Sequence, residues 1–229
     1  RLIKSQQILK ANSETIQSVL FSRFFLVTAF QTFYVVLQEV RKKLLGAEYG
    51  EAVVEEAIRK LEKLGFLNDE SYSKALLETK KRTSKKGPRA IQQDLMKKGI
   101  DKSLQQEVLK QYSYEEQVQN AKDLAEKLVR TGDKSTPAQV KQKIQDLLTR
   151  KGYSFDIVSE VLDQMDITRN DDEWNDLIAK QGDKIWSKYS SKFTGSQLNM
   201  KVKQALYQKG FPVEIINRFI EEKGQEDGK

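Results

Sequence analysis

The sequence predicts an all-α protein built as an elongated array of tandem three-helix repeats. Three observations carry this. An apolar residue followed four positions later by Leu recurs at Val40/Leu44, Ile91/Leu95, Ile144/Leu148 and Val202/Leu206. The last three pairs extend into one word, Leu-x-x-Lys-Gly-apolar: Leu95 to Ile100, Leu148 to Tyr153 and Leu206 to Phe211. Leu44 and Leu95 are 51 residues apart, and the next two intervals are 53 and 58. Self-similarity at such a period marks like units stacked to share a core. The composition agrees: 32% charged against 38% hydrophobic residues, with three Pro, suits amphipathic helices with solvated outer faces.

In chain order, the first feature is an apolar stretch from Val19 to Leu37. It approaches the length of a membrane span, about 20 residues, but Ser22, Arg23, Thr28, Gln31 and Thr32 interrupt it, so a buried helix or strand pair is expected and no membrane partner. A helix carrying Val40 and Leu44 follows, and Leu61-Glu62-Lys63-Leu64-Gly65-Phe66 repeats the helix-ending pattern. A helical stretch covers Tyr72 to Arg82. Pro88 suits a first helical turn, where its missing N–H costs nothing. Ile91 and Leu95 then lie about 40° apart, with Arg89, Gln93 and Lys97 on the far face. With Gly99 as the left-handed residue beyond the helix end, Leu95 and Ile100 are the pair that touches in a Schellman motif. Asp101, Ser154 and Pro212 stand where the next helix starts, and Leu104/Val108, Ile157/Val161 and Ile215/Phe219 give each new helix its apolar face. The loudest word in the chain is therefore a helix–turn–helix joint. Gln117 to Val129 and Leu177 to Tyr189 are further helices. Thr136-Pro137 opens another, Asn170 to Glu173 reads as a linker into a helix start, and Trp174, Trp186 and Tyr189 are expected to pack inside the last unit.

The expected division is an N-terminal segment 1–38, a first unit at 39–68, a second at 69–112 with a basic turn, a third at 114–166 and a fourth at 172–223. The chain has no Cys and no His. That removes thiolate metal sites, Ser–His and Cys–His nucleophile pairs and the commonest general base. No catalysis, metal or cofactor is expected, and the absence of Cys fits a reducing cytoplasm.

Charge is concentrated. Between Lys80 and Lys102 stand nine basic residues and two acids, Asp94 and Asp101, equal to the formal net charge of +7 for the whole chain. A locally unbalanced patch invites an anionic partner. No aromatic residue lies between Tyr72 and Tyr112, so single-strand stacking is disfavoured and contact with phosphates or an acidic protein face is favoured. The candidate binding residues are Lys80, Lys81, Arg82, Lys85, Lys86, Arg89, Lys97 and Lys98, echoed by Arg150 and Lys151.

The word Gly65-Phe66-Leu67-Asn68-Asp69-Glu70-Ser71-Tyr72-Ser73-Lys74-Ala75, the basic turn Arg82 to Gly87 and the joint Ile91 to Ile100 together resemble the RecX family of recombinase regulators. The likeness runs from Glu39 to Gly99 and continues as repeat pattern to Glu222, as in a longer member with an additional C-terminal repeat. Residues before Glu39 depart from the family pattern, and longer members carry a small β element at this end, so a strand is expected between Phe21 and Leu37. The resemblance implies a non-catalytic regulator that binds RecA protein and the RecA–DNA filament and suppresses ATP hydrolysis and strand exchange, with a role in DNA repair and SOS control; a monomer is expected. Two other readings fit the residues: a stand-alone helical-repeat binder of single- or double-stranded DNA through phosphates, and a scaffold for an acidic protein.

Overall fold

The computed structural model describes residues 36–65, 67–130 and 134–226. The strand expected between Phe21 and Leu37 and most of the apolar stretch from Val19 lie outside them. Every regular element among the described residues is a helix, in accord with the all-α repeat reading. The chain forms two compact units, 1–113 and 114–229, described in turn.

In the first unit, α1 (Leu37–Gly46) packs on α2 (Glu51–Lys63) through Val40, Leu44, Val54, Ala57, Ile58 and Leu67. A second group follows: α3 (Asp69–Thr79), a π-helical turn (Lys80–Ser84), α4 (Pro88–Lys97) and α5 (Lys102–Leu109). Its core joins Leu77, Ile91, Leu95, Ile100, Val108 and Tyr112 with Val36, the residue just ahead of α1. The same junction is held by the backbone N–H of Leu37, which donates to Asp69 Oδ1 at 3.2 Å.

The helix expected at 72–82 begins earlier and ends earlier. Asn68 caps α3 by accepting from the Ser71 N–H at 2.8 Å. At the other end Thr83 Oγ1 donates to the Thr79 carbonyl at 2.7 Å and Ser84 Oγ to that of Lys80 at 3.1 Å. Hydroxyls bonded to carbonyls one turn back compete with the backbone ladder. Here the ladder widens to the π turn and stops at Lys85, φ +46°.

The second unit holds α6 (Tyr114–Arg130), α7 (Pro137–Lys151) and α8 (Phe155–Gln164), then α9 (Asp171–Ser190), α10 (Gly195–Gln208) and α11 (Val213–Glu226). Ala121, Ala125, Ile144, Leu148, Tyr153, Ile157 and Val161 centre the first core. Leu177, Trp186, Val202, Leu206, Phe211, Ile216 and Phe219 centre the second. Thr136 and Gln139 form a reciprocal capping box with Pro137 in the first turn of α7. Asn170 and Glu173 do the same for α9. Asp171 to Glu173 are thus the first turn of a helix and not a linker, where acids favour the positive end of the dipole. Trp174 lies 5.7 Å from Phe211 and Trp186 meets Phe219 edge-on at 6.2 Å, packing inside the last three-helix group.

The joints are Schellman motifs. Ile100, Tyr153 and Phe211 N–H donate to the carbonyls of Leu95, Leu148 and Leu206 at 3.2, 3.1 and 3.3 Å, and Gly99, Gly152 and Gly210 stand at φ +79°, +91° and +82°. A further joint closes α1: Tyr49 N–H donates to Leu44 O at 3.3 Å, and Glu48, at φ +63°, takes the glycine's place. Gly65, at φ +74°, closes α2 in the same way, its N–H donating to the Glu62 carbonyl at 2.9 Å, and leads into α3.

Candidate functional site

The basic run Lys80 to Lys102 occupies the π turn, the loop to Pro88 and α4. The structure divides it into cations committed inside the protein and cations on its surface. Lys81 is buried, 6% exposed. Its ammonium lies 5.0 Å from the centroid of the Tyr112 ring and 2.9 Å from Glu78. The widened π turn points this side chain into the edge of the core, so its reading as a surface contact is revised to a packing role.

Asp94 collects two others, Lys86 at 2.6 Å and Lys80 at 3.9 Å. Lys98 reaches back to Glu39 on α1 at 2.6 Å. The hydrogen bond that Lys98 donates to Glu39 raises the Lys98 pKa above its ordinary value, against partial desolvation. Lys85, half-exposed, occupies the left-handed residue that ends the turn. Arg82, Arg89 and Lys97 are exposed and have no carboxylate partner among the described residues. On α4 this follows from periodicity: Ile91 and Leu95 are buried, which turns Arg89 and Lys97 to solvent.

In the second unit, Arg150 and Lys151 close α7, Arg150 exposed and Lys151 half-buried, where cations favour the negative end of the dipole. A second basic cluster there was not legible in the sequence. Lys134, just ahead of α7, and Arg169 and Lys180, with Glu173 and Asp176 at the start of α9, line a hollow of about 160 Å³. Lys134, by hydrogen bonding and by its charge, lowers the Lys180 pKa. These residues come together only through tertiary packing, so no local window reveals them.

No helix among the described residues is long and apolar enough to cross a membrane. No described group of three or more acidic side chains could hold a metal ion.

Family models describing the second and third three-helix domains of RecX match this chain at residues 68–109 and at 115–162 and 171–220. The third-domain model thus matches twice. Regulatory protein RecX of Bacillus cytotoxicus is 35% identical over 189 residues, 82% of this chain and 70% of that protein. Regulatory protein RecX of Bacillus subtilis is 34% identical over 186 residues, 81% and 70% of the two chains. The crystal structure of RecX from Lactobacillus salivarius superposes with a TM-score of 0.59 at 29% identity, covering 69% of this chain and 99% of that one. With its repeated joints, its helical groups and these likenesses over most of its length, the chain belongs to the RecX family of regulatory proteins.

Proposed function

We propose that this protein is a non-catalytic inhibitor of RecA. It binds the RecA–DNA filament in the cytoplasm as a monomer and suppresses ATP hydrolysis and strand exchange, with DNA repair and SOS control as its setting. The observation that supports this most is the division of the basic run within a RecX-family chain. Lys81, Lys86 and Lys98 are engaged internally, whereas Arg82, Arg89 and Lys97 point outward with no carboxylate partner among the described residues. Cations left uncompensated on a packed helix favour an anionic partner. Several such contacts on one chain bind together far more tightly than each alone, and a static bridge across protomers opposes the movements of ATP turnover.

The test is RecA ATPase inhibition by R82A/R89A/K97A. The expected result is an unchanged helical spectrum and melting temperature with inhibition lost or weakened at least tenfold, about 1.4 kcal/mol or more. Full inhibition by a folded triple variant would refute the assignment. The same outward cations also suit direct phosphate contact with DNA, and this second reading predicts that naked DNA alone accounts for binding.

A further inference from the structure

Lys134 and Lys180 stand far apart in the sequence of the second unit and line one hollow of about 160 Å³. Their backbones are tied in place. Gln181 Nε2 donates to the Lys134 carbonyl at 3.2 Å, which fixes the segment ahead of α7 against the middle of α9. Arg169, its side chain only 15% exposed, adds a second tie by donating from Nη2 to the Ser135 carbonyl at 3.3 Å. The two lysine side chains are thereby brought so close that Lys134, by hydrogen bonding and by its charge, holds the Lys180 ammonium below its ordinary pKa.

The fold makes no use of this pair. Neither ammonium forms an ion pair with a carboxylate among the described residues. Of the two acids on the wall of the hollow, Glu173 is committed: Oε2 accepts from the Asn170 N–H at 3.0 Å and Oε1 lies 3.7 Å from Arg169. Asp176 acts on Lys180 more weakly than Lys134 does. Three cations against two carboxylates leave the lining an excess of +1, and with Arg169 and Glu173 paired the excess rests on the two lysines. Adjacent like charges repel, so the arrangement costs stability until an anion lies between them.

The lining identifies the class of that anion. An ammonium is a compact charge with three rotatable donors, so two of them can close on a tetrahedral oxyanion from different sides, and lysine binds phosphate in this way. Buried Leu177 and half-buried Val129 form an apolar wall beside them. A free, hydrated ion has no need of such a wall, whereas the carbon of an ester packs against it. We infer that this hollow binds the phosphate group of a phosphate ester, with Lys134 and Lys180 donating to its oxygens. The inference goes beyond the RecA reading and stands without it. Two sources carry this group: a small phosphate monoester, or a diester of a nucleic-acid strand.

The experiment follows thermal unfolding of wild type, K134Q/K180Q and K141Q/K184Q in sodium chloride and in glycerol phosphate at matched ionic strength, with calorimetric titration of glycerol phosphate. Lys141 and Lys184 are exposed on the same unit and outside the lining of the hollow, so the control removes the same charge elsewhere. Glycerol phosphate is expected to raise the melting temperature of wild type and of K141Q/K184Q. In chloride K134Q/K180Q should melt at or above wild type, because the repulsion is gone, and glycerol phosphate should then add nothing. Its affinity for the ester should fall by about tenfold or more. K180Q alone is read in the same way. No rise for wild type, or equal rises for wild type and K134Q/K180Q, would overturn the inference. So would K134Q/K180Q melting below wild type in chloride, since the lysines would then serve the fold. Anisotropy with a single-stranded oligonucleotide lacking terminal phosphates assigns the source: weakened binding by K134Q/K180Q supports the diester, and unchanged binding supports the monoester.

Discussion

Glu48 stands at φ +63° where three other joints have glycine, and an L-residue there pays for a contact between its Cβ and the following carbonyl that glycine avoids. Glu48→Gly is expected to stabilise the protein by about 1 kcal/mol, seen as a rise in the denaturant midpoint with unchanged slope; a fall would show that this turn is held otherwise. Asp101 caps α5 by accepting from the Ser103 N–H at 2.8 Å, and the Ser103 hydroxyl and N–H hold its carboxyl below the ordinary range. A carboxyl with a folded pKa below its unfolded one adds stability that is present above the unfolded value and lost as pH falls through the folded value. Asp101→Asn should therefore lower the melting temperature at neutral and alkaline pH, where the carboxylate is ionised, and converge on wild type in acid, flattening the acid limb; superimposable profiles would remove the carboxylate from this role. Lys81 marks what residue-level reading of the sequence misses. Its place in the basic run was plain, but its burial depends on a π turn that Thr83 and Ser84 induce through hydrogen bonds invisible to charge counting.

At the scale of elements, the joint was legible because a Schellman motif is local: the helix end, the left-handed residue and the apolar clasp lie within six positions, and Leu95 to Ile100 contains them all. The α1 joint escaped notice because Glu48 hides the glycine signature while Leu44 and Tyr49 keep the clasp. The glycines also serve packing that the sequence could not display. A Cβ on Gly210 would lie 2.5 Å from the Ala138 Cβ in the first turn of α7, whereas one on Gly65, at a similar φ of +74°, would meet nothing within 4 Å. Beside Gly210, Thr136 Oγ1 donates to the Lys209 carbonyl at 2.5 Å, so this joint is also a contact between successive three-helix groups. Gly65→Ala should cost about 1 kcal/mol, the backbone term alone, and Gly210→Ala about 2–4 kcal/mol, because overpacking adds to it. Equal losses in chemical denaturation would show that the close approach at Gly210 relaxes freely.

On the scale of the whole molecule, the repeat period in the sequence conveyed the architecture, since each unit uses the same helical signals in the same order. The candidate surface was only partly legible. A run of lysines shows net charge, but Lys98 finds Glu39 from 59 positions away, and Lys134 meets Lys180 only because two three-helix groups pack together. What remains outward is a set of separate cations, Arg82, Arg89, Lys97 and Arg150 among them. The central claim is that this protein recognises the RecA–DNA filament as a protein assembly and not merely as DNA. It is tested most directly by binding wild type to RecA filaments and to the same naked single strand across increasing salt. Counterion release makes naked-DNA affinity fall steeply with salt, so filament binding is predicted to show a shallower slope and to persist where DNA binding has vanished, through the added protein contacts. Equal slopes and equal affinities for the two would contradict the account and leave a phosphate-binding repeat protein in its place.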